Sequence, residues 1–249
     1  MKRQHLIAIG AVVFALALLV HAPAAALYAW FAPKTSDVTL YGVEGTLMQG
    51  SLAGISVQGK PTWQELHWTL HPLALLTGRV LADVESTTPT TLNSRVSLAP
   101  WGRHFSNLRS TGSLHTLTGA VGQNYLPVEG TVNADISSLT FKGGTPRSAE
   151  GTISVEHLAW TLAKDPLMLG AYKATATTDH GQITVKIESI SGPLQVIGDA
   201  KVADDQTYDL DLRVKTKPDA VPMLQTLVQS LGQPDAQGFY HLLRKGKLS

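Results

Sequence analysis

One apolar segment constrains this chain more than any other feature. Residues 6–20 read LIAIGAVVFALALLV without a charge, and after His21 and Pro23 the run AAALYAWFA carries on to Ala32. Nothing comparable follows. A helix that crosses a bilayer needs about 20 mainly apolar residues, and residues 6–31 supply them. Lys2 and Arg3 stand ahead of the segment. Basic residues are retained on the cytoplasmic side, so the N-terminus stays inside and the remainder is exported. Tyr28, Trp30 and Phe31 fall where an aromatic belt meets the far interface. A cleaved signal peptide is the competing reading, because Ala22-Pro23-Ala24 and Ala24-Ala25-Ala26 both fit a small-residue cleavage site. The anchor is favoured because apolar character continues past both sites, from Leu27 to Phe31. A buried core helix would give no reason for basic residues at one end only.

The 249 residues leave room for an anchor plus one sizeable domain or two small ones. At 43% hydrophobic residues, the chain can bury a core. Lys and Arg number 20 against 19 Asp and Glu. Without Lys2 and Arg3 the exported part is near neutral, which speaks against a nucleic-acid binder and its basic stripe. Cysteine is absent, so disulfides, thiol catalysis and Cys-based metal sites are excluded.

Past a linker at residues 32–36 the pattern turns to short strands. Strand-forming runs recur at residues 38–41, 52–57, 66–70, 78–84, 91–98, 113–117, 130–139, 151–160, 172–178, 183–190, 194–202 and 208–215. Turn chemistry separates them at Thr145-Pro146, Asp179-His180-Gly181, Ser191-Gly192-Pro193 and Asp204-Asp205. Many short strands at this spacing predict antiparallel hairpins rather than a parallel α/β sheet. Pro72 and Gly78 bracket a turn or two of helix, PLALLTG. Residues 220–231 predict one firm helix, with Val221, Leu224, Leu227, Val228 and Leu231 at helical spacing and Gly232 just past its end. Glu-Gly-Thr plus an aliphatic residue occurs at Glu44, Glu129 and Glu150. It reads as a repeated way of starting a strand, the Gly supplying a turn or bulge, with coincidence in a Gly- and Thr-rich chain as the other reading.

No catalytic, cofactor-binding or metal-ligating residue emerges. Phosphate-binding and dinucleotide glycine motifs and the nucleophile elbow are missing. His67 and His71 are four apart, but His-Trp stands where a metalloprotease needs His-Glu, and Pro72 disfavours helix at His71. Asp204, Asp205, Asp209 and Asp211 lack the Gly and closing Glu of a calcium loop. They read instead as a hairpin turn and the solvent face of TYDLDLRVK. Arg244, Lys245 and Lys247 read as a solvated basic tail, or as a contact for anionic lipid or an acidic partner. Trp63, Trp68, Trp101, Trp160 and Tyr172 sit mostly in strand patterns, and most of them read as core. Edge strands of a long open sheet must be covered or paired, so edge pairing is a route to assembly.

Ordered landmarks then resemble a known family. Val43 to Gly50 reads VEGTLMQG and Trp68 to Gly78 reads WTLHPLALLTG. Further on come Leu126-Pro127-Val128-Glu129-Gly130, the run 151–160, Leu169-Gly170-Ala171-Tyr172, and Ser191-Gly192-Pro193-Leu194 with Gly198. Last are Leu231-Gly232, Gln237-Gly238-Phe239-Tyr240 and Gly246-Lys247-Leu248. End to end, this resembles the type II secretion system protein N family (GspN type). Met48 stands where the family pattern has Trp, an apolar-for-apolar change. The resemblance implies a bitopic protein of the Gram-negative inner membrane with a periplasmic β domain. It also implies an accessory part of the platform that exports folded proteins through an outer-membrane secretin. Platform proteins, the secretin and membrane lipid are the implied partners, and there are no catalytic residues to carry over. The family is similar to AsmA-like envelope proteins, which offers a second function by fold analogy alone: holding lipid in the apolar groove of a curved sheet. The expectation is thus a mainly β protein: cytoplasmic residues 1–5, a transmembrane signal-anchor helix at 6–31, a linker at 32–36, and a periplasmic domain at 37–249. That domain is expected as a long, curved, mostly antiparallel sheet with a short C-terminal helix.

Overall fold

A computed structural model describes residues 22–31, 38–57, 60–120, 127–161 and 165–247. Most of the apolar segment, residues 6–21, and the expected linker lie outside them. Among the described residues no helix is long and apolar enough to cross a membrane. The chain divides into two compact units between Pro100 and Trp101.

The first unit holds α1 (Ala24–Phe31), β1 (Val38–Gly45), β2 (Gln49–Val57), β3 (Lys60–Leu70), α2 (Pro72–Leu75), β4 (Val80–Thr88) and β5 (Thr91–Ala99). Its strands pair in sequence order, all antiparallel. Cross-strand partners share a face of a sheet, so the register sorts the side chains. Gly50, Trp68, Val84 and Ser94 form one row, and Leu52, Leu66, Ser86 and Leu92 the next. Ser51, His67, Glu85 and Asn93 make up a row of the opposite, polar face. The apolar face also carries small hydroxyls. Ser86 and Ser94 are buried, and Ser86 Oγ donates to the Gln64 carbonyl at 3.0 Å.

The second unit holds β6 (Gly102–Ser113), α3 (Leu114–Ala120), β7 (Val128–Lys142), β8 (Thr145–Trp160), β9 (Leu167–Asp179), β10 (Gln182–Ser191), β11 (Leu194–Val202), β12 (Thr207–Thr216), α4 (Pro222–Gln229) and β13 (Tyr240–Lys247). These strands also pair in sequence order and antiparallel. Period-2 alternation puts Ile183, Val185 and Ile187 of β10 on one face with Val202, Ala200 and Gly198 of β11. The same face continues through Tyr208, Leu210 and Leu212 of β12. α4 rests against β12 and buries Leu224 and Val228. Pro222 sets the start of α4, at the first helical position, where its missing N–H costs nothing.

The mainly β, antiparallel expectation holds, as does a short helix near the C-terminus. Several local expectations do not. The strand expected at 113–117 is the helix α3, and the preceding strand, β6, is a polar run (GRHFSNLRSTGS) held in the sheet by its pairing with β7. The expected turn at Thr145-Pro146 falls two residues earlier. Gly143 and Gly144 take φ values of 59° and 87°, as a two-residue hairpin loop with two left-handed positions requires. The basic tail is the strand β13, with Lys245 opposite Asp209 and Arg244 opposite Leu210. The Asp179-His180-Gly181 turn is where expected, with φ of 47° at His180 and 82° at Gly181. The glycines of the Glu-Gly-Thr elements supply the expected turn and bulges, but only the element at Glu129 stands at a strand start, that of β7. Gly45 ends β1, whereas Gly130 and Gly151 lie at register shifts inside β7 and β8.

Candidate functional site

The far end of the apolar segment is built into the first unit. Ala22 is irregular, Pro23 forms an isolated bridge with Thr46, and α1 begins at Ala24. Leu47 N–H donates to the Ala22 carbonyl at 3.0 Å. α1 then runs beside β1, where Leu40 N–H donates to the Tyr28 hydroxyl at 3.1 Å. The expected single helix over 6–31 is therefore interrupted at residues 22–23. Tyr28, expected in an aromatic belt, satisfies a strand N–H. The side chains of Trp30 and Phe31 lie outside the described residues.

The turn that receives Ala22 is the first family landmark, and the second closes over it. Thr46 N–H donates to the Gln49 carbonyl at 2.9 Å, and Gln49 N–H donates back to Thr46 Oγ1 at 3.2 Å. Trp68 Nε1–H donates to the Leu47 carbonyl at 3.1 Å, and Leu70 N–H donates to the Met48 carbonyl at 2.6 Å. The Trp68 ring lies over Gly50, where a Cβ would collide with it and with the Glu44 carbonyl. VEGTLMQG and WTLHPLALLTG thus form one structure. A second landmark pair also meets: a Cβ on Gly170 would stand 2.6 Å from the Gly192 Cα, and the reverse contact is also 2.6 Å.

The titratable candidates make pairings within and between strands and turns. His67 lies within β3 between Ser51 and Glu85, whereas His71 lies past the strand end, so the two do not share a site. His71 Nε2 is 2.7 Å from Asp83 Oδ2, and Arg95 Nε donates to Asp83 Oδ1 at 2.7 Å. The Arg95 guanidinium holds the Asp83 carboxyl below its ordinary range against the opposing effect of burial, and His71 adds to the lowering. The carboxylate is committed to a clamp across β4 and β5. In the second unit Asp205 makes the turn, with its Oδ1 accepting from Thr207 N–H at 3.0 Å and from Thr207 Oγ1 at 2.6 Å. Asp209 pairs with Lys245 Nζ at 2.7 Å.

The loop before β13 gathers around Asp235, a residue that the sequence reading passed over. Its Oδ1 accepts from Gln237 N–H at 2.8 Å and Phe239 N–H at 2.9 Å, and its Oδ2 lies 2.9 Å from His241 Nε2. His241 and then the Phe239 amide lower its pKa from 3.8 to about 2. Lys215 Nζ donates to the Gln237 carbonyl at 2.8 Å and stands 5.5 Å from the Phe239 ring centre. Asp followed closely by Gly-containing turn chemistry was the available signal.

A cavity of about 620 Å³ in the second unit is lined by Ser113, His115, Glu129, His157 and Met168, among others. Among the described residues no three of His, Cys, Asp and Glu are grouped to hold a metal ion. Surfaces are more prominent. β1 and β13 each have one strand neighbour among the described residues. β1 is capped at Leu40 by Tyr28, whereas β13 offers a free edge bearing Leu243 (61% exposed), Arg244 and Lys247. Trp101 is 65% exposed, an exception among the aromatics of which most were expected in the core.

Comparison with known proteins adds a family. The family described as type II secretion system, protein N matches residues 36–242. A Vibrio cholerae serotype O1 protein, named type II secretion system protein N, is 26% identical over 227 residues, covering 87% of each chain. No solved structure matches the chain. A match over that length, carrying both clasped landmark pairs, means that the chain belongs to the type II secretion system protein N family.

Proposed function

We propose that this protein is a non-enzymatic, inner-membrane-anchored subunit of the type II secretion machinery, supporting export of folded proteins from the periplasm across the outer membrane. The family match over residues 36–242 carries the reading. The anchor is supported by the junction at residues 22–24. Cleavage at either candidate site would remove Ala22 and Pro23, which bond to the Thr46–Leu47 turn. The uncharged residues 4–22 would reach about 28 Å as a helix, close to the thickness of a hydrocarbon core. α1 then belongs to the periplasmic side with the two β units. The β13 edge is the surface proposed for platform proteins or the secretin, since an extended partner segment can add to an unpaired strand.

The test is cross-linking at native expression, mild membrane extraction through a C-terminal tag, and identification of the recovered proteins. Recovery of inner-membrane platform subunits or the secretin supports the reading, and loss of that recovery in Leu243→Glu would assign the contact to β13. Recovery of lipid-transport proteins without any secretion component overturns it.

A further inference from the structure

The junction at Ala22 says which end of the first unit meets the bilayer, and the same end carries exposed leucines. β1 ends at Gly45, β2 begins at Gln49, β3 ends at Leu70 and β4 begins at Val80, so the β1–β2 turn and the β3–β4 loop share one end of the sheet. Gln49 opposite Thr69, and the Leu70 N–H bonded to the Met48 carbonyl, hold them together. Ala22 and Pro23 attach to that same turn. α1 leads away from it, towards Leu40. The apolar segment of residues 6–20 therefore joins the fold beside the β3–β4 loop.

That loop turns its apolar side chains outward. Leu73 and Leu76 are 77% and 76% exposed among the described residues. Val80 and Leu98, paired at the same end, are also exposed. The loop is kept rigid without them: Ala74 N–H donates to the His71 carbonyl at 3.1 Å and Gly78 N–H to the Leu75 carbonyl at 3.0 Å. Arg79 closes the loop, and its Nε donates to Thr77 Oγ1 at 3.0 Å. It has no carboxylate partner among the described residues. Two outward leucines with a neighbouring arginine suit the headgroup boundary, where apolar side chains enter the acyl region and a guanidinium meets phosphate.

We propose that the β3–β4 loop, through Leu73 and Leu76, seats the first unit on the periplasmic leaflet beside the point where the apolar segment leaves the membrane. This rests on the anchor reading. The loop would enter the boundary while the opposite end of the unit, at Thr87, stays in water. A bilayer is favoured over a protein partner because the chain itself brings this end to the membrane.

The chain has no cysteine, so single labels can be placed cleanly. Leu73→Cys, Leu76→Cys, Thr87→Cys and Val13→Cys would each be labelled with an environment-sensitive fluorophore. Each full-length protein would be reconstituted into phosphatidylethanolamine–phosphatidylglycerol vesicles, with and without lipid-borne quenchers. Positions 73 and 76 are expected to show blue-shifted emission that a shallow quencher reduces, position 13 to respond to a deep quencher, and position 87 to respond to neither. Water-like emission at 73 and 76 with deep quenching at 13 overturns the loop contact and leaves the anchor standing. Blue-shifted emission at 73 and 76 that no lipid quencher reduces means protein covers the leucines, which also overturns it. Water-like emission at 13 overturns the anchor and the loop contact together.

Discussion

Gly50 has no room for a side chain because Trp68 occupies it. The indole bonds to Leu47 and lies over the Gly50 backbone, between a turn and the next strand. Gly50→Ala should cost about 1–3 kcal/mol, since neither the ring nor the Glu44 carbonyl can give way cheaply. A lowered urea midpoint for the detergent-solubilised full chain, with an unchanged slope, is the expected result. Ser94 sits on the same face, buried, with no hydrogen-bond partner for its hydroxyl among the described residues. Ser94→Ala should therefore be neutral or stabilising by up to about 1 kcal/mol, because it removes a buried polar group that gains nothing. Asp235 gives a pH-dependent counterpart. Its pKa falls from 3.8 unfolded to about 2 folded. A depressed carboxylate contributes its full stabilisation above the unfolded value and loses it as pH drops through the folded one. Protection of the Phe239 amide, its exchange relative to that of an unstructured chain at the same pH, should hold above about pH 4 and fall as pH drops towards 2, the window that these two values define. Asp235→Ala should remove the pH dependence of that protection and leave the amide poorly protected throughout.

Elements were legible where alternation was clean. TYDLDLRVK alternates Asp209, Asp211 and Arg213 against Leu210, Leu212 and Val214, and becomes β12 with those two faces. β6 was not legible because its residues are mostly polar or glycine; its extended form comes from ten residues of register with β7. α3 follows at once, where Ser113 Oγ accepts from Thr116 N–H at 3.1 Å, the side-chain capping geometry that starts a helix. That single hydroxyl outweighs a run that otherwise reads as strand. β13 was hidden by its charge. The lysines and arginine that suggest a solvated tail are what an edge strand uses to discourage unwanted pairing. Its closest cross-strand ion pair is Lys245 to Asp209 at 2.7 Å. Charge reversal at Lys245 should loosen β13, read as faster amide exchange at Leu242 and Leu243, and Asp209→Lys combined with Lys245→Asp should restore protection.

At the scale of the whole molecule, the division between Pro100 and Trp101 gives two antiparallel units. The anchor reading makes a direct prediction: the protein should stay in the membrane fraction after alkaline extraction, with Met1 or Lys2 as its first residue. Release into the soluble fraction, with a new N-terminus near Ala25 or Leu27, would favour the signal peptide. Gly50, Trp68, Gly170 and Gly192 set how closely neighbouring strands approach.

By itself the sequence determined the apolar segment, the antiparallel β character and most turns. These follow from composition and from periods of two, which act over a few residues. It also carried the family, through landmarks whose order survives without knowledge of their contacts. Only the tertiary structure decided that the segment breaks at Ala22 and Pro23, because the break depends on a bridge to Thr46 that is 23 residues away in the chain. It alone decided that Leu73 and Leu76 lie outward beside that junction, and that the basic C-terminal run is a strand. The break, the placing of the loop beside the junction and the C-terminal strand depend on hydrogen-bonding partners distant in sequence, and no local pattern records which partner a backbone group will find.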